Sequence, residues 1–305
     1  MSARYEVLGL LAAGGMAEIL RARAVTGPHA GAPVVLKRML PHLAELPELR
    51  EAFAREMRLA ASIRHANVVL VLDVIEDEAG PALVLEHLDG ADLRAVAQAL
   101  SAQGTRLHPA QATAIAARIA RGLAHVHAMT DDRGRTLDLV HRDVSPHNVF
   151  VTRAGGVKLL DFGIAKVRDV ATRSGLVRGK AAYMAPEQVA GLAVEARTDL
   201  FALGVVLWEM LAGRRLWTNQ GDSDDAIVRA IREESPPPLR AHVPEVSPEL
   251  EALTGKLLAK FAAQRPPDAA GVADRLERLA AEHGSRSPDR EIAAVVQRVA
   301  PAASR

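Results

Sequence analysis

Apolar positions along this chain change period several times, and each change marks an element. Residues 5–11 and 19–25 read as two strands around the turn Ala12-Ala13-Gly14-Gly15-Met16-Ala17-Glu18, and Val34-Val35-Leu36 reads as a third, closed by Lys37. The period then becomes helical. Pro47 opens a segment over 48–64 in which Leu49, Phe53, Met57 and Ala60 share one face, with Glu56 at its margin. Apolar runs over 68–74 and 82–85 lead into Glu86-His87-Leu88-Asp89-Gly90, and Asp92 suits a helix N-cap. Residues 109–129 form an alanine-rich helix with Ile115, Ile119 and Val126 on one stripe, whose His125 and His127 are expected to face neighbouring groups rather than a metal. Thr130 to Thr136 reads as a surface turn. Val149-Phe150-Val151 and the run 157–160 predict a hairpin set between two polar loops.

The rest is helical. The run 200–211 is continuously apolar apart from Glu209, which predicts a buried core helix with Asp199 or Thr198 capping its start and Gly213 ending it. Helices over 224–233, 248–261 and 268–282 follow, joined by Pro236-Pro237-Pro238 as a stiff connector. Beyond Gly284, Ile292, Val295, Val296 and Val299 make an amphipathic stripe that packs on the rest of the chain or docks a partner.

Composition narrows the picture only slightly. The 305 residues suffice for one large domain or two lobes sharing a cleft, and 38 Lys and Arg against 37 Asp and Glu create no global field to recruit nucleic acid or an anionic membrane. No cysteine is present, which excludes disulfides and thiolate metal sites. The opening Met1-Ser2-Ala3-Arg4-Tyr5 has no signal-peptide apolar core, and the longest apolar run falls short of the ~20 residues a membrane span needs. The expected setting is cytoplasmic.

Chemistry gathers around His141-Arg142-Asp143-Val144-Ser145-Pro146-His147-Asn148 and Asp161-Phe162-Gly163, at either end of the predicted hairpin. The hairpin can hold Asp143, Asn148 and Asp161 at one mouth, where hard oxygen donors suit Mg²⁺ and a further carboxylate can orient a hydroxyl. A carboxylate on the edge of an apolar helix face, Glu56, needs a partner, and Lys37 is the nearest by pattern; otherwise Glu56 reaches solvent at the helix boundary.

Spacing and order of these groups resemble the catalytic loop and metal-binding motif of bacterial serine/threonine protein kinases of the eukaryotic-like type, over roughly residues 5 to 282. The resemblance implies an α+β, two-lobed protein-kinase-like fold: a small β-rich N-lobe with one main helix (1–88), a larger, mostly helical C-lobe (89–282) and a tail (283–305). It also implies ATP and Mg²⁺ as cofactors and a protein serine or threonine as acceptor. By the same resemblance Asp143 orients the acceptor hydroxyl and takes its proton, Asn148 and Asp161 hold Mg²⁺, and Lys37, paired with Glu56, meets the phosphates. Gly14 and Gly15 belong to the phosphate lid, and Leu11, Ile19 and Val35 wall the adenine. Backbone groups of Glu86 and Leu88 at the hinge meet its edge, and Asp92 reaches the ribose unless it is only a cap. Ala185-Pro186-Glu187 and Arg265 match the family's structural ion pair, and Asp199 would anchor the catalytic-loop backbone.

The chain departs from the family pattern in two places. Ala12 and Ala17 stand where lid glycines are usual; an alanine forced to positive φ there would cost about 1 kcal/mol and stiffen the lid. Ser145 stands where a lysine is usual and Lys180 where a threonine is usual, so the pair is expected to rebuild the same cation and hydroxyl from opposite sides, with a solvated Lys180 as the alternative. Between Asp161 and Glu187, Thr172 or Ser174 is expected to be phosphorylated and to pair with Arg142. The resulting expectation is an ATP-dependent serine/threonine protein kinase, with a signalling pseudokinase scaffold or a small-molecule phosphotransferase as rivals and a regulatory protein at the C-terminal tail.

Overall fold

The computed structural model describes residues 4–77, 80–161, 181–217 and 224–299. The chain divides into two compact units, Met1–Leu88 and Asp89–Arg305. In the first, strands β1 (Tyr5–Ala13), β2 (Ala17–Ala24), β3 (Pro33–Met39), β4 (Val71–Asp77) and β5 (Gly80–Glu86) form an antiparallel sheet in the order β1-β2-β3-β5-β4. Period-two alternation sets its inner face: Leu20, Ala22 and Ala24 of β2 pack with Val34 and Leu36 of β3 and Val84 of β5. Both lid-flanking strands reach further into the turn than their apolar pattern predicts. A four-residue helix α1 (Pro41–Ala44) leads into α2 (Pro47–Ser62), which has Pro47 in its first turn and buries Phe53, Glu56 and Met57.

In the second unit a three-stranded sheet, β6 (Gly90–Asp92), β7 (Val149–Thr152) and β8 (Val157–Leu159), lies beside a helical body. That body contains α3 (Leu93–Ala102), α4 (Pro109–His127), α5 (Pro186–Val189), α6 (Ala196–Ala212), α7 (Asp224–Glu233), α8 (Pro248–Leu257), α9 (Ala269–Glu282) and α10 (Pro288–Val299). α6 is apolar nearly all round and is buried accordingly, with α4 and α8 packed on it and α9 lying along α4. It begins earlier than the apolar run alone predicts, and its cap is neither Asp199 nor Thr198. Glu195 is the N-cap, the Thr198 hydroxyl accepts from its N–H at 3.2 Å, and Asp199 points its carboxylate elsewhere. Gly213 ends it as expected, in the left-handed region at φ 68°.

α8 stops at Leu257 rather than continuing to 261. The Leu258 N–H still reaches the Thr254 carbonyl (3.1 Å), but the Ala259 N–H turns to that of Lys256 (3.2 Å). Beyond it the carbonyls of Ala259 (2.9 Å) and Lys260 (3.1 Å) accept from the Arg265 guanidinium, while the Lys260 ammonium donates to the carbonyl of Ile231 (2.6 Å).

The tail helix α10 packs against α3, α4 and β7 and buries Ile292, Val295 and Val296 in the same core as α6. Its apolar stripe is therefore occupied by its own unit. It approaches the β7–β8 turn so closely that a Cβ on Gly155, which has φ 89°, would lie 1.8 Å from the Asp289 carbonyl oxygen. Gln297 donates to the Arg153 carbonyl at 3.1 Å across the same contact.

Glu187 and Arg265 form a two-pronged ion pair at 2.7 and 2.8 Å, with the arginine side chain fully buried. Thr198 donates to the same carboxylate and Arg265 also donates to the Arg197 carbonyl, so α5, α6 and the loop before α9 share one clasp. Burial alone would raise the Glu187 pKa, but bonds from Arg265 and Thr198 outweigh it and hold the carboxyl below its ordinary value. Arg265→Ala leaves a buried carboxylate without its cation and is expected to cost about 3–5 kcal/mol. In urea unfolding the midpoint should fall sharply.

Candidate active site

In the first unit the turn between β1 and β2 is closed by the Gly14 N–H donating to the Ala17 carbonyl at 2.9 Å. Ala12 and Ala17 sit in the paired strands, opposite Ile19 and Met39 respectively, and neither has positive φ. The strain anticipated for two alanines in the lid does not arise. A Cβ on Gly15 would meet nothing within 4 Å, so this backbone is open to a ligand on that side.

β3 aims Lys37 at Glu56 of α2, Nζ to Oε1 3.2 Å, with side-chain exposures of 12% and 8%. The two groups share a half-dry environment in which a lone charge would be costly, which is why the glutamate tolerates the apolar face of its helix. Ile19 is the register partner of Lys37, and Val35 that of Leu85; both valine and isoleucine are half-buried, whereas Leu11 is 54% exposed. Glu86 is clasped to Leu70 in both directions. Its N–H donates to the Leu70 carbonyl at 3.0 Å, and its carboxylate accepts from the Leu70 N–H at 2.7 Å. Leu88, half-buried, ends the unit.

The second unit holds the polar loop from below. Asp199, 1% exposed on α6, accepts from the His141 N–H through Oδ2 (2.7 Å) and from the Arg142 N–H through Oδ1 (2.8 Å), and His127 at the end of α4 adds its Nε2 at 2.8 Å. These bonds hold Arg142 at φ 64°, a conformation that only a well-determined surrounding sustains in a residue with a Cβ. His141, fully buried, spans the loop in the other direction. Its Nδ1 accepts from the Asp143 N–H at 3.3 Å and its Nε2 donates to the Leu160 carbonyl at 2.9 Å. Those bonds require the neutral ring, and burial, opposed by the charges of Asp199 and Asp143, lowers its pKa below the ordinary histidine value.

Asn148 closes the loop on itself. Its Nδ2 donates to the Asp143 carbonyl at 2.8 Å, and its own carbonyl accepts from the Leu160 N–H, also at 2.8 Å. With the amide nitrogen committed, the side-chain oxygen is the atom available to a cation. Asp161 follows directly after Leu160, at φ 43°, so a second strained residue stands beside the first group. A carboxamide oxygen and a carboxylate, both hard donors, fit Mg²⁺, and the two positive-φ residues fit a site built to hold polar groups in one arrangement.

Asp92 accepts from the Ala95 N–H at 2.8 Å and caps α3, as one of its two readings anticipated. Ser145 is 1% exposed, and its hydroxyl has no hydrogen-bond partner among the described residues. Its expected partner Lys180, like Phe162, Gly163, Thr172 and Ser174, lies outside the described residues. Pattern reading missed two contributors: His127, as the third donor to Asp199, and Gln188, whose Nε2 donates to the Arg142 carbonyl at 3.2 Å. A histidine ending the helix that precedes the loop was the available signal for the first.

A β-sheet unit that pairs a strand lysine with a helix glutamate, together with a helical unit that holds this loop, defines the class of protein kinases. The chain belongs to the protein kinase domain family, whose model matches residues 5–274. Relatives include Tyrosine-protein kinase MasK of Myxococcus xanthus, 40% identical over 93% of this chain and 44% of its own, and Serine/threonine-protein kinase Pkn1 of the same species, 34% identical over 92% and 38%. Serine/threonine-protein kinase PknB of Mycolicibacterium smegmatis is 34% identical over 95% and 44%. The chain thus spans less than half the length of these relatives. Among solved structures, the Mycobacterium tuberculosis PknI kinase domain superposes with a TM-score of 0.65 at 26% identity, covering 91% of this chain and 96% of that one. Members of the family use ATP and Mg²⁺.

The neutral His141 has a consequence for stability. Because its folded pKa lies below the unfolded value near ~6.5, the unfolded chain takes up the proton first, and stability is lost as pH falls through that value towards the folded one. Melting temperatures measured from pH 7.5 to 5 should therefore decline below about pH 6.5, and the decline should be shallower in His141→Asn.

Proposed function

We propose that this chain transfers the γ-phosphoryl group of ATP to a serine or threonine hydroxyl of a protein. The single observation that carries the reading is the Asp143 to Asn148 loop, cross-tied within itself and hung from Asp199, in a protein kinase domain. In the reaction the acceptor oxygen forms a bond to the γ-phosphorus, the bond from that phosphorus to the bridging oxygen breaks, and ADP leaves. Asp143 orients the hydroxyl and takes its proton. Asn148 and Asp161 would hold Mg²⁺, whose charge offsets that of the phosphates.

Lys37, held by Glu56, meets the α- and β-phosphates, and the amides of Gly14 and Gly15 cover them. Leu11, Ile19 and Val35 are the apolar surface for the adenine, the backbone of Glu86 and Leu88 its polar edge. Asp92 has one carboxylate oxygen engaged in its cap and offers the other to the ribose. Need for ATP supports a cytoplasmic setting. Ser145 and Lys180 supply a hydroxyl and a cation beside Asp143, and the partnerless buried Ser145 hydroxyl supports a polar neighbour at that point.

Tyrosine is the second reading for the acceptor, favoured by the name of the 40% identical relative. Phosphoamino-acid analysis of a protein substrate decides between them. Purified protein with Mg²⁺ and ATP should add phosphate to itself and to a generic protein substrate, with peptide mass spectrometry locating self-modification at Thr172 or Ser174. Asp143→Asn should lower the rate by about 10²–10⁴-fold, and an undiminished rate would remove the role assigned to Asp143. Lys180→Ala should lower kcat by at least about tenfold while leaving ATP affinity within about twofold.

A further inference from the structure

Asp92 caps α3 and leaves Arg94 exposed in its first turn, while Gly213 ends α6 and is followed by Arg214 and Arg215. Between these helix ends is a cavity of about 290 Å³ with apolar walls that include Leu100, Leu107 and Met210. Pro146, on the same loop as Asp143, forms part of its wall. Four arginines line it, Arg94, Arg106, Arg214 and Arg215, against a single carboxylate, Glu209.

That carboxylate is already spent. It accepts from the Tyr183 hydroxyl at 2.7 Å and from the Leu216 N–H at 3.1 Å, and it lies 3.5 Å from Arg215. Burial also pushes its pKa up, against these bonds. Arg106 is paired with Glu245 outside the cavity. The remaining two cations have no carboxylate among the described residues: Arg94 donates to the His147 ring at 2.6 Å, and Arg214 lies over the Trp208 ring at 5.6 Å. Stacked on its indole, Arg214 keeps its in-plane N–H groups for an anion, and Arg94, with one N–H given to His147, keeps the others; a carboxylate matches such a fork.

We propose that this cavity is a specificity pocket for an acidic residue, Asp or Glu, flanking the acceptor hydroxyl in the protein substrate. The assignment rests on the phosphoryl-transfer reading, through the position of Pro146 on the Asp143 loop. Arg94 and Arg214 meet the carboxylate, and the apolar walls take its methylene stem. An extended substrate advances about 3.3 Å per residue, so the residue that enters the pocket is a near neighbour of the acceptor.

Binding tests this separately from turnover. Fluorescein-labelled serine peptides, identical except for Glu, Ala or Lys at the flanking positions, are titrated with the full chain and followed by anisotropy. The Glu peptide should bind at least about tenfold more tightly than the Ala peptide, with the advantage shrinking as salt rises. In the Arg94→Ala, Arg214→Ala double variant the ratio should approach one, in the double Lys variant part of it should survive, and in Arg94→Glu, Arg214→Glu the Lys peptide should become the preferred one. Equal binding of all three peptides, or a ratio unchanged in the variants, overturns the proposal. Turnover of the same peptides is measured in parallel. Transfer without acidic preference removes the pocket and leaves the kinase reading, whereas acidic-selective binding without transfer to any peptide or protein removes the kinase reading and retains the pocket.

Discussion

Asp199 is the group on which the polar loop depends. It sits on a helix buried nearly all round, and three donors, two of them backbone N–H groups of His141 and Arg142, converge on its two oxygens. The apolar core fixes the helix, the helix fixes the carboxylate, and the carboxylate fixes a loop that otherwise carries positive φ at Arg142. His141 then transmits the constraint to Leu160, next to Asp161. A chain of few, well-directed bonds thus connects the hydrophobic core to both strained residues.

The first unit solves a parallel problem with less burial. Lys37 and Glu56 retain slight exposure, and the pair stands where a strand of one register meets the inner face of α2. Both side chains are largely buried, so each charge offsets the desolvation of the other while the ammonium keeps a small opening to solvent. Glu187 and Arg265 are the opposite case: with the arginine wholly buried, the clasp is tied to the fold itself.

Much of this was legible in the sequence because the periods are strong. Alternation in β2 and β3, the stripe of α2 and the apolar run of α6 each map onto the buried faces observed. Less legible were features decided by partners distant in the chain. On local pattern Asp199 reads as a cap for α6, and only the family resemblance pointed to the loop backbone, 57 and 58 positions away, that its carboxylate serves. The carbonyls just beyond α8 are taken by Arg265, and the tail stripe reads equally as core or docking face until α3, α4 and β7 are seen to cover it. The loop chemistry was accessible through its resemblance to a family, while the His127 contact and the arginine-lined cavity arise only once α3, α4 and α6 are assembled.

The most direct test of this account is the turnover of Asp199→Asn, measured well below its melting temperature beside the unaltered protein. An amide can accept from only one of the two backbone N–H groups and brings a donor where the carboxylate had none. If the loop is held in its working arrangement by this carboxylate, kcat should fall by roughly 10- to 100-fold with the helical content unchanged. Turnover equal to that of the unaltered protein would contradict it.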